Sequence, residues 1–418
     1  MKIVYLLISL FFFKNSNGYY NLLRKIIDKP SLTIFDRLHF FKRNQKVKTI
    51  KNVKNTKDAK KIRIQVNSTM NEENKYKLNW YVIGESTEFK KNKIQQVKIW
   101  NKKYAVWRED GKQLSAMDNH CSHRGASLSL GELTYVNKES RIVCPYHGYE
   151  FNGEGVLCKI PGLNFTNSQC HNQLVYPIFE QDGWVYMNII PSIYTENAEF
   201  SKNEIYREPE SFNESFSRIQ INTDFQAPAR IVSENSLDVM HIGFVHTFGN
   251  KINPNPSREV PPFLPNETNQ LHYKTIYDYN SGEDSIAKKI YKFDKLLIEN
   301  EFILPHTTVA RIVFGDLTST VITFALPQND THSRLFVKTY RNYWNTKDSS
   351  SLGDLNNYLG DSFTRYIMEK TVKQDKSVVE NIEAEYMDGK YNMMYDKLQN
   401  VYRSMYKKYV KNGSTHAE

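Results

Sequence analysis

The chain has 418 residues, of which 40% are hydrophobic and 13% aromatic, which is enough apolar material for two ordinary domains and too much for a disordered chain. Its formal net charge is +10, but residues 1–70 contain 16 Lys and Arg and three Asp, whereas the rest contains 40 basic and 43 acidic residues. Because the body of the chain is close to neutral, its charge gives no reason to expect a protein that binds nucleic acid.

The N-terminus has two features of a targeting sequence. Residues 3–13 are an apolar run that is shorter than the ~20 residues of a membrane span and has the length of a signal-peptide core, with Gly18 as a small residue before the cut. Residues 19–76 are rich in Lys and Asn and poor in acidic residues, which resembles a plastid transit peptide. We expect a signal peptide (1–18) and a second leader (19–76) that direct the chain to a plastid of secondary origin, without a transmembrane anchor in the mature chain. An uncleaved N-terminal anchor in the endoplasmic reticulum membrane is the alternative.

Two pairs of cysteine and histidine define the first site. Cys121 and His123 form a Cys-x-His pair, and twenty residues later Cys144 and His147 form a Cys-x-x-His pair. In a Rieske centre two thiolates hold one iron and two imidazoles hold the other, and the glycines and the proline beside these pairs suit tight loops. The sequence therefore predicts one 2Fe-2S cluster, with a zinc site or disulfides as alternatives.

The sequence around these pairs resembles the Rieske domain of ring-hydroxylating and related oxygenases over residues 78–192. The resemblance covers the opening strand at Asn79–Val82, the run Tyr149–Gly155 after the second pair and the closing strand at Asp182–Tyr186. The gap between the pairs is longer than is typical, around Tyr135–Ser140, and a tyrosine replaces the commoner tryptophan at position 149. Both departures spare the predicted ligands.

The two remaining cysteines, Cys158 and Cys170, stand outside the cluster pattern. A cysteine without a cofactor usually behaves as a small apolar residue, and we expect no cofactor role for either one. A regulatory thiol pair is the alternative.

A second group of metal-binding residue types follows further along the chain. Asp238, His241 and His246 fit the oxygenase pattern Asp-x-x-His-x4-His. The spacing of three would place Asp238 and His241 on one face of a helix, and Gly243 would loosen that helix so that His246 turns inward. Two histidines and one carboxylate bind one face of ferrous iron and leave the opposite positions open, so the pattern predicts one mononuclear Fe(II).

The third iron ligand is implied by the resemblance. The family takes it from a C-terminal helix, in a run similar to Glu-Asp-x4-Glu, and the segment Gln374–Glu380 matches that run. We expect Asp375 to be the third ligand, with Glu380 as the alternative. A chance acidic helix is the remaining interpretation.

Beyond the second motif the pattern changes from strands to helices. Four runs rich in β-branched residues are bounded by turn residues and predict an antiparallel sheet with one wet face: residues 297–299, 308–313, 318–324 and 335–340. Residues 353–410 predict long helices. With the family resemblance, this implies an α+β chain in which an all-β Rieske domain (77–195) precedes a helix-grip catalytic domain (203–410). The catalytic domain is expected to open with the helix that carries Asp238 and His241.

The resemblance also implies an activity, an oxidoreductase of the Rieske monooxygenase or dioxygenase type. Such an enzyme uses O2 and electrons from a ferredoxin or flavin reductase to hydroxylate, demethylate or desaturate a small hydrophobic molecule, here with a tetrapyrrole as the candidate. It further implies a head-to-tail homotrimer in which Asp238 bridges His241 and His147 of the partner subunit. A non-catalytic redox-sensing or electron-carrying Rieske protein of a plastid is the alternative.

Overall fold

A computed structural model describes residues 78–109, 113–137, 139–163, 172–194, 205–267, 269–346, 350–389 and 393–411. The predicted signal peptide, the basic leader and Cys170 lie outside the described residues. All described residues belong to one compact unit, Met70–Glu418. In this unit an all-β domain precedes a domain with a large sheet and helices, so the predicted α+β fold class is confirmed.

The N-terminal domain is built from short strands joined by tight turns. Its strands are β1 (Trp80–Glu85), β2 (Ile94–Ile99), β3 (Lys102–Arg108), β4 (Leu114–Asp118), β5 (Glu132–Val136), β6 (Glu139–Val143), β7 (Glu150–Asn152), β8 (Leu157–Lys159), β9 (Ile178–Gln181) and β10 (Trp184–Asn188). They form small antiparallel sheets with the orders β1-β10-β9, β2-β3-β4 and β5-β6-β7-β8. The longer gap between the ligand pairs is the β5–β6 hairpin, where Tyr135 and Val136 are exposed. The insertion therefore lies on the surface.

The C-terminal domain is centred on one seven-stranded antiparallel sheet. Its strands are β11 (Ser217–Phe225), β12 (Arg258–Phe263), β13 (His272–Asn280), β14 (Lys295–Ile303), β15 (Thr307–Phe314), β16 (Leu317–Pro327) and β17 (Ser333–Arg341). They are ordered β11-β17-β16-β15-β14-β13-β12. The four predicted strands are confirmed as β14 to β17. The domain opens with β11 and not with a helix, so that part of the prediction is wrong.

The helices of this domain differ greatly in length. They are α1 (Ala229–Leu237), α2 (Ile242–Val245), α3 (Ile286–Lys289), α4 (Ser351–Val379) and α5 (Lys397–Tyr406). The hydroxyl of Ser350 caps α4 by accepting from the Gly353 N–H (3.2 Å). Of the predicted long helices, α4 has 29 residues and α5 has ten. Among the described residues, no helix combines the length and apolar character that a membrane span requires.

The two faces of the large sheet pack against different partners. Successive side chains of a strand point to opposite faces, and β16 shows this directly. Ile322 and Phe324 belong to the core that contains Trp80 of the N-terminal domain, whereas Ala325 belongs to the core that contains Val372 of α4. The sheet therefore stands between the N-terminal domain and helices α1 and α4 of the same chain, so the prediction of one water-exposed face is wrong at β16 and β17.

A buried ion pair lies where the N-terminal domain meets the sheet. The Lys338 ammonium pairs with the Glu208 carboxylate, and the two residues are 0% and 1% exposed. Glu208 also accepts a hydrogen bond from the Tyr340 hydroxyl (2.8 Å), and Lys338 Nζ lies 4.2 Å from the centre of the Trp184 ring on β10. Burial lowers the pKa of Lys338, and the charge of Glu208 opposes that effect. These contacts join Glu208, which precedes β11, to β17 of the large sheet, and they join β17 to β10 of the N-terminal domain.

Candidate metal centres

The two Cys/His pairs lie on two loops that have the same pattern of backbone hydrogen bonds. In the first loop the Cys121 N–H donates to the carbonyl five residues on (2.9 Å), and its carbonyl accepts from the Gly125 N–H (2.8 Å). In the second loop the Cys144 N–H donates to Tyr149 (2.8 Å) and its carbonyl accepts from Gly148 (3.0 Å). The two glycines have φ values of +72° and +71°, a left-handed conformation that glycine adopts without steric cost. Each loop thus closes on itself around its cysteine.

The four predicted cluster ligands approach each other in like pairs. Cys121 and Cys144 are buried free thiols of one apolar core, and the ring centres of His123 and His147 are 4.6 Å apart. The pKa of Cys121 is raised to about 11, chiefly by burial; the His123 N–H opposes this shift, and the adjacent Cys144 thiol adds to it. Because iron binds the thiolate form, cluster assembly at this buried pair must release protons.

The surroundings of the two pairs suit the asymmetric donor set of a Rieske cluster. The sulfurs are buried, whereas His147 is exposed and His123 is half-buried. The Tyr149 ring stacks on His123 (4.7 Å between centres, 13° between planes), and the Tyr146 ring lies 3.9 Å from His147. A buried thiol pair beside a more exposed imidazole pair fits a cluster with one sulfur-bound and one nitrogen-bound iron. The tyrosine at position 149 therefore packs against a predicted ligand.

Cys158 has a different environment. It is half-buried, and its thiol donates to the Val156 carbonyl (3.3 Å). Burial raises its pKa, which disfavours the reactive thiolate at neutral pH.

The residues predicted to bind mononuclear iron converge in the C-terminal domain. The Nε2 atoms of His241 and His246 are 3.2 Å apart, and each lies 3.3 Å from Oδ1 of Asp375. His246 is 4% exposed. Adjacent ligand atoms of an octahedral ion with bonds of about 2.1 Å lie about 3.0 Å apart, so these three atoms match one triangular face. Asp375 Oδ1 is buried and receives no hydrogen bond from the described residues, and a cation would satisfy it.

The two histidines flank the short helix α2. Helix α1 ends just before Asp238, whose backbone is extended (φ −76°, ψ 127°), and His241 precedes the short helix α2. The prediction that Asp238 and His241 share a helix face is therefore wrong. His246 follows α2 in an extended conformation (φ −95°, ψ 139°). Gly243 does not cause the break; a Cβ there would lie 2.8 Å from the Cβ of Pro254, so glycine allows the next loop to pack closely.

Asp238 holds the beginning of the histidine loop. Its Oδ1 accepts from the N–H groups of Met240 (2.6 Å) and His241 (3.3 Å), and its backbone carbonyl lies 2.9 Å from His241 Nδ1. A proton on Nδ1 that donates to this carbonyl leaves Nε2 for a metal. Within this chain, therefore, the backbone of Asp238 orients the ring and its carboxylate caps the loop.

The two histidines differ electrostatically. Burial lowers the pKa of His241, but the close contact with the charged Asp375 carboxylate (3.3 Å), together with the charge of Asp238, outweighs that effect and raises the pKa. At His246 burial outweighs the attraction of Asp375 and lowers the pKa. A metal binds only the neutral imidazole, so it competes with a proton mainly at His241.

Glu380, the alternative third ligand, lies away from the histidines. Its Oε1 accepts from the Gln226 N–H (2.6 Å) and is 3.6 Å from Lys376 Nζ. Among the described residues, the group that could hold a metal ion contains Asp375 and not Glu380. Glu380 instead ties the end of α4 to the turn before α1.

Two residues that contact His246, Gln374 and Phe248, were not predicted from the sequence. Oε1 of Gln374 lies 3.3 Å from Nδ1 of His246, and the Phe248 ring stacks on the same imidazole (5.0 Å, 19°). The available signal was the position of Gln374, directly before Asp375 and in place of the glutamate of the family's run.

Comparisons with known proteins agree with these two centres. The family model "Rieske [2Fe-2S] domain" matches residues 79–169. Chlorophyllide a oxygenase, chloroplastic, from Chlamydomonas reinhardtii is 29% identical over 184 residues, which are 44% of this chain and 26% of that protein. Methylxanthine N1-demethylase NdmA from Pseudomonas putida is 28% identical over 221 residues, which are 50% and 58% of the two chains. The chain thus matches less than two thirds of the length of these curated relatives.

Solved structures extend the likeness to the second domain. Dicamba monooxygenase bound to dicamba has a TM-score of 0.65 at 18% identity, covering 82% of this chain and 99% of that one. NdmA of Pseudomonas putida with caffeine has a TM-score of 0.62 at 19% identity, covering 81% and 92%. The shared fold therefore includes the large sheet and its helices as well as the Rieske domain. The chain therefore contains a Rieske [2Fe-2S] domain, is similar in sequence to an oxygenase and a demethylase, and shares the two-domain fold of these solved structures.

Proposed function

We propose that this chain is the oxygenase component of an enzyme that uses O2 to hydroxylate, demethylate or desaturate a small hydrophobic molecule. The observation that carries the proposal is the triad of His241, His246 and Asp375, whose ligand atoms lie 3.2–3.3 Å apart. A protein that only carries electrons through its Rieske cluster has no use for such a triad. The triad therefore favours the enzyme over a redox sensor or an electron carrier.

The bound groups would supply one-electron transfer at the cluster and O2 activation at the ferrous ion. The chain's residues fix where this happens. Cys121, Cys144, His123 and His147 would hold the cluster in the N-terminal domain. His241, His246 and Asp375 would hold the iron and would leave positions open for O2 and substrate.

The position of the sheet supports electron transfer between subunits. Within one chain the sheet lies between the N-terminal domain and helices α1 and α4, whereas His147 is exposed at the surface. We infer a head-to-tail homotrimer in which the carboxylate of Asp238 links His241 to His147 of the partner subunit. The chain shows no flavin or nicotinamide motif, so a separate ferredoxin or flavin reductase would reduce the cluster.

The substrate proposal rests on the relatives. One of them is a chlorophyllide a oxygenase, so a tetrapyrrole is the first candidate, while the N1-demethylase keeps demethylation open beside hydroxylation and desaturation. Reduced ferredoxin, O2 and a chlorophyll-pathway tetrapyrrole should yield a product that is heavier by one oxygen (hydroxylation), lighter by one CH2 (demethylation) or lighter by two hydrogens (desaturation) in mass spectrometry. An unchanged tetrapyrrole would direct the search to other hydrophobic metabolites.

The proposed cellular location rests on a relative and on the N-terminal sequence. The chloroplastic relative supports a plastid, and a signal peptide followed by a basic leader supports one of secondary origin. A reporter fused to residues 1–76 should enter the plastid, and a reporter fused to residues 1–18 should be secreted. Retention of both in the endoplasmic reticulum would instead indicate an N-terminal anchor.

The decisive experiment separates the two metal centres. His241→Ala should keep the visible spectrum of the cluster and lose O2-dependent turnover, because His241 belongs to the iron triad alone. The wild-type chain should contain about three irons, two in the cluster and one in the triad. Two irons in the wild type would favour the electron carrier, and loss of the cluster spectrum in the variant would contradict the assignment.

A further inference from the structure

We propose that Gln374 is a positioning residue of the iron centre. Its side-chain oxygen holds the His246 ring with Nε2 toward the metal. Because its amide is neutral, Asp375 remains the one negatively charged group that α4 presents to the metal site. The inference rests on the proposed iron site and goes beyond it by assigning a role to a residue outside the ligand triad.

The two histidines are oriented by different kinds of acceptor. Nδ1 of His241 lies 2.9 Å from the backbone carbonyl of Asp238, an acceptor that no side-chain substitution removes. Nδ1 of His246 lies 3.3 Å from Oε1 of Gln374, an acceptor that one substitution can remove or charge. The orientation of His246 is therefore open to change through position 374, whereas that of His241 is fixed by the main chain.

The His246 ring is held on three sides. Phe248 stacks on one face at 5.0 Å, Asp375 lies 3.3 Å from Nε2, and Gln374 faces Nδ1. Because Gln374 and Asp375 are consecutive residues of α4, one helix presents both the metal-binding carboxylate and the acceptor for the outer nitrogen. Movement of α4 would thus shift both contacts to His246 together.

The acceptor also selects the tautomer. An imidazole that donates from Nδ1 has its lone pair on Nε2, which is the form that a metal at Nε2 requires. Without an acceptor at position 374, the buried ring loses this preference, and the tautomer with a proton on Nε2 cannot bind the metal. Partners of this kind typically change metal affinity by ~10- to 100-fold when they are mutated.

The charge of the acceptor matters as well. A carboxylate accepts a stronger, charge-assisted hydrogen bond than an amide and would make the imidazole a better donor to the metal. Gln374→Glu is therefore expected to bind ferrous iron more tightly than the wild type, and Gln374→Leu, which has no acceptor, more weakly.

The test uses the full chain with its cluster in place and ferrous iron as the probe, in anaerobic competition with a chelator. Gln374→Leu should weaken iron binding ~10- to 100-fold, and Gln374→Glu should strengthen it. Gln399→Leu is the matched control, because Gln399 donates to the Glu234 carbonyl (3.1 Å) and does not contact the histidines. The cluster absorbance and the thermal midpoint should be the same in Gln374→Leu as in the control. If Gln374 only supported the fold, Gln374→Leu would lower both quantities.

A second readout reports on the ligand geometry. The visible absorption of cobalt(II) bound in place of iron should change in Gln374→Leu and not in Gln399→Leu. Wild-type iron affinity in Gln374→Leu, or weaker binding in Gln374→Glu, would overturn the inference. Asp375→Ala separates this from failure of the iron site itself: if Asp375→Ala also binds iron normally, the site lies elsewhere, and if it does not, only the role of Gln374 fails.

Discussion

The two metal centres are built in opposite ways. Each cluster loop contains its own cysteine and histidine and closes through backbone hydrogen bonds of that same loop. The iron triad instead joins His241 and His246, at the two ends of α2, to Asp375 on α4, which the core containing Ala229, Val372 and Val379 holds in place. The cluster loops therefore depend mainly on local conformation, whereas the iron site depends on the packing of distant segments.

The largest expected effect is the separation of the two centres by one substitution. Asp375→Ala should remove the mononuclear iron and leave the cluster, because Asp375 Oδ1 faces both histidines at 3.3 Å. Iron analysis should fall from about three to about two per chain, with an unchanged cluster spectrum. Glu380→Ala is the control and should keep all the iron. Full iron in Asp375→Ala would move the third ligand elsewhere, to Glu380 first.

The next effect concerns communication between the centres. Asp238→Asn keeps an oxygen that can cap Met240 and His241, so both metals should remain bound. The charge is lost, and we expect turnover to fall by ~10- to 100-fold, as for other partners of metal ligands. Single-turnover kinetics with a pre-reduced cluster measure this step. Normal kinetics in the variant would remove Asp238 from the electron path.

The contrast between local conformation and the packing of distant segments also explains which features could be predicted from the sequence. Strands β14 to β17 were predictable, and the cluster ligands could be proposed, because spacing, turn residues and strand patterns are local signals. A spacing of three residues predicts that Asp238 and His241 share a helix, yet the chain is extended at Asp238. The contact between Gln374 and His246 spans 128 residues, and only the packing of α4 creates it.

A third effect tests the contact between the two domains. Lys338→Met leaves the Glu208 carboxylate buried without its cation, and breaking a buried pair in this way costs about 3–5 kcal/mol. Urea unfolding followed by tryptophan fluorescence would measure the loss. The double variant Lys338→Met/Glu208→Leu should recover much of the stability, because it removes both charges. Equal destabilisation of the single and double variants would show that packing against Trp184, and not charge, holds the interface.

A smaller effect should distinguish the two cluster loops. Gly125 and Gly148 have φ values of +72° and +71°, so alanine at either position costs roughly 1–2 kcal/mol of backbone strain. A Cβ at Gly125 meets no atom within 4 Å, whereas one at Gly148 lies 2.9 Å from Cγ of Pro161. Gly148→Ala should therefore lower the thermal midpoint more than Gly125→Ala and lose cluster absorbance sooner on heating. Equal midpoints would mean that the Pro161 ring moves aside without cost.

The smallest effect is a pH dependence of the unfolding free energy, which arises at the interface between the two domains. His306 is fully buried among rings of both domains, Tyr81 and Trp100 on one side and Phe324 and Tyr406 on the other. Neither ring nitrogen has a hydrogen-bond partner among the described residues, and burial lowers its pKa to about 3.

Because the pKa of His306 is lower in the folded chain than in the unfolded one, the unfolded state binds more protons between about pH 3 and pH 6.5, and stability falls as the pH drops through that range. His306→Phe removes this one contribution. Between pH 7.5 and pH 5.5 the variant should lose about 1 kcal/mol less unfolding free energy than the wild type. The wild type at each pH is the reference, since all other groups titrate alike in both proteins. Parallel losses in the two proteins would show that His306 gains a proton without unfolding, and hence that its cage opens to water.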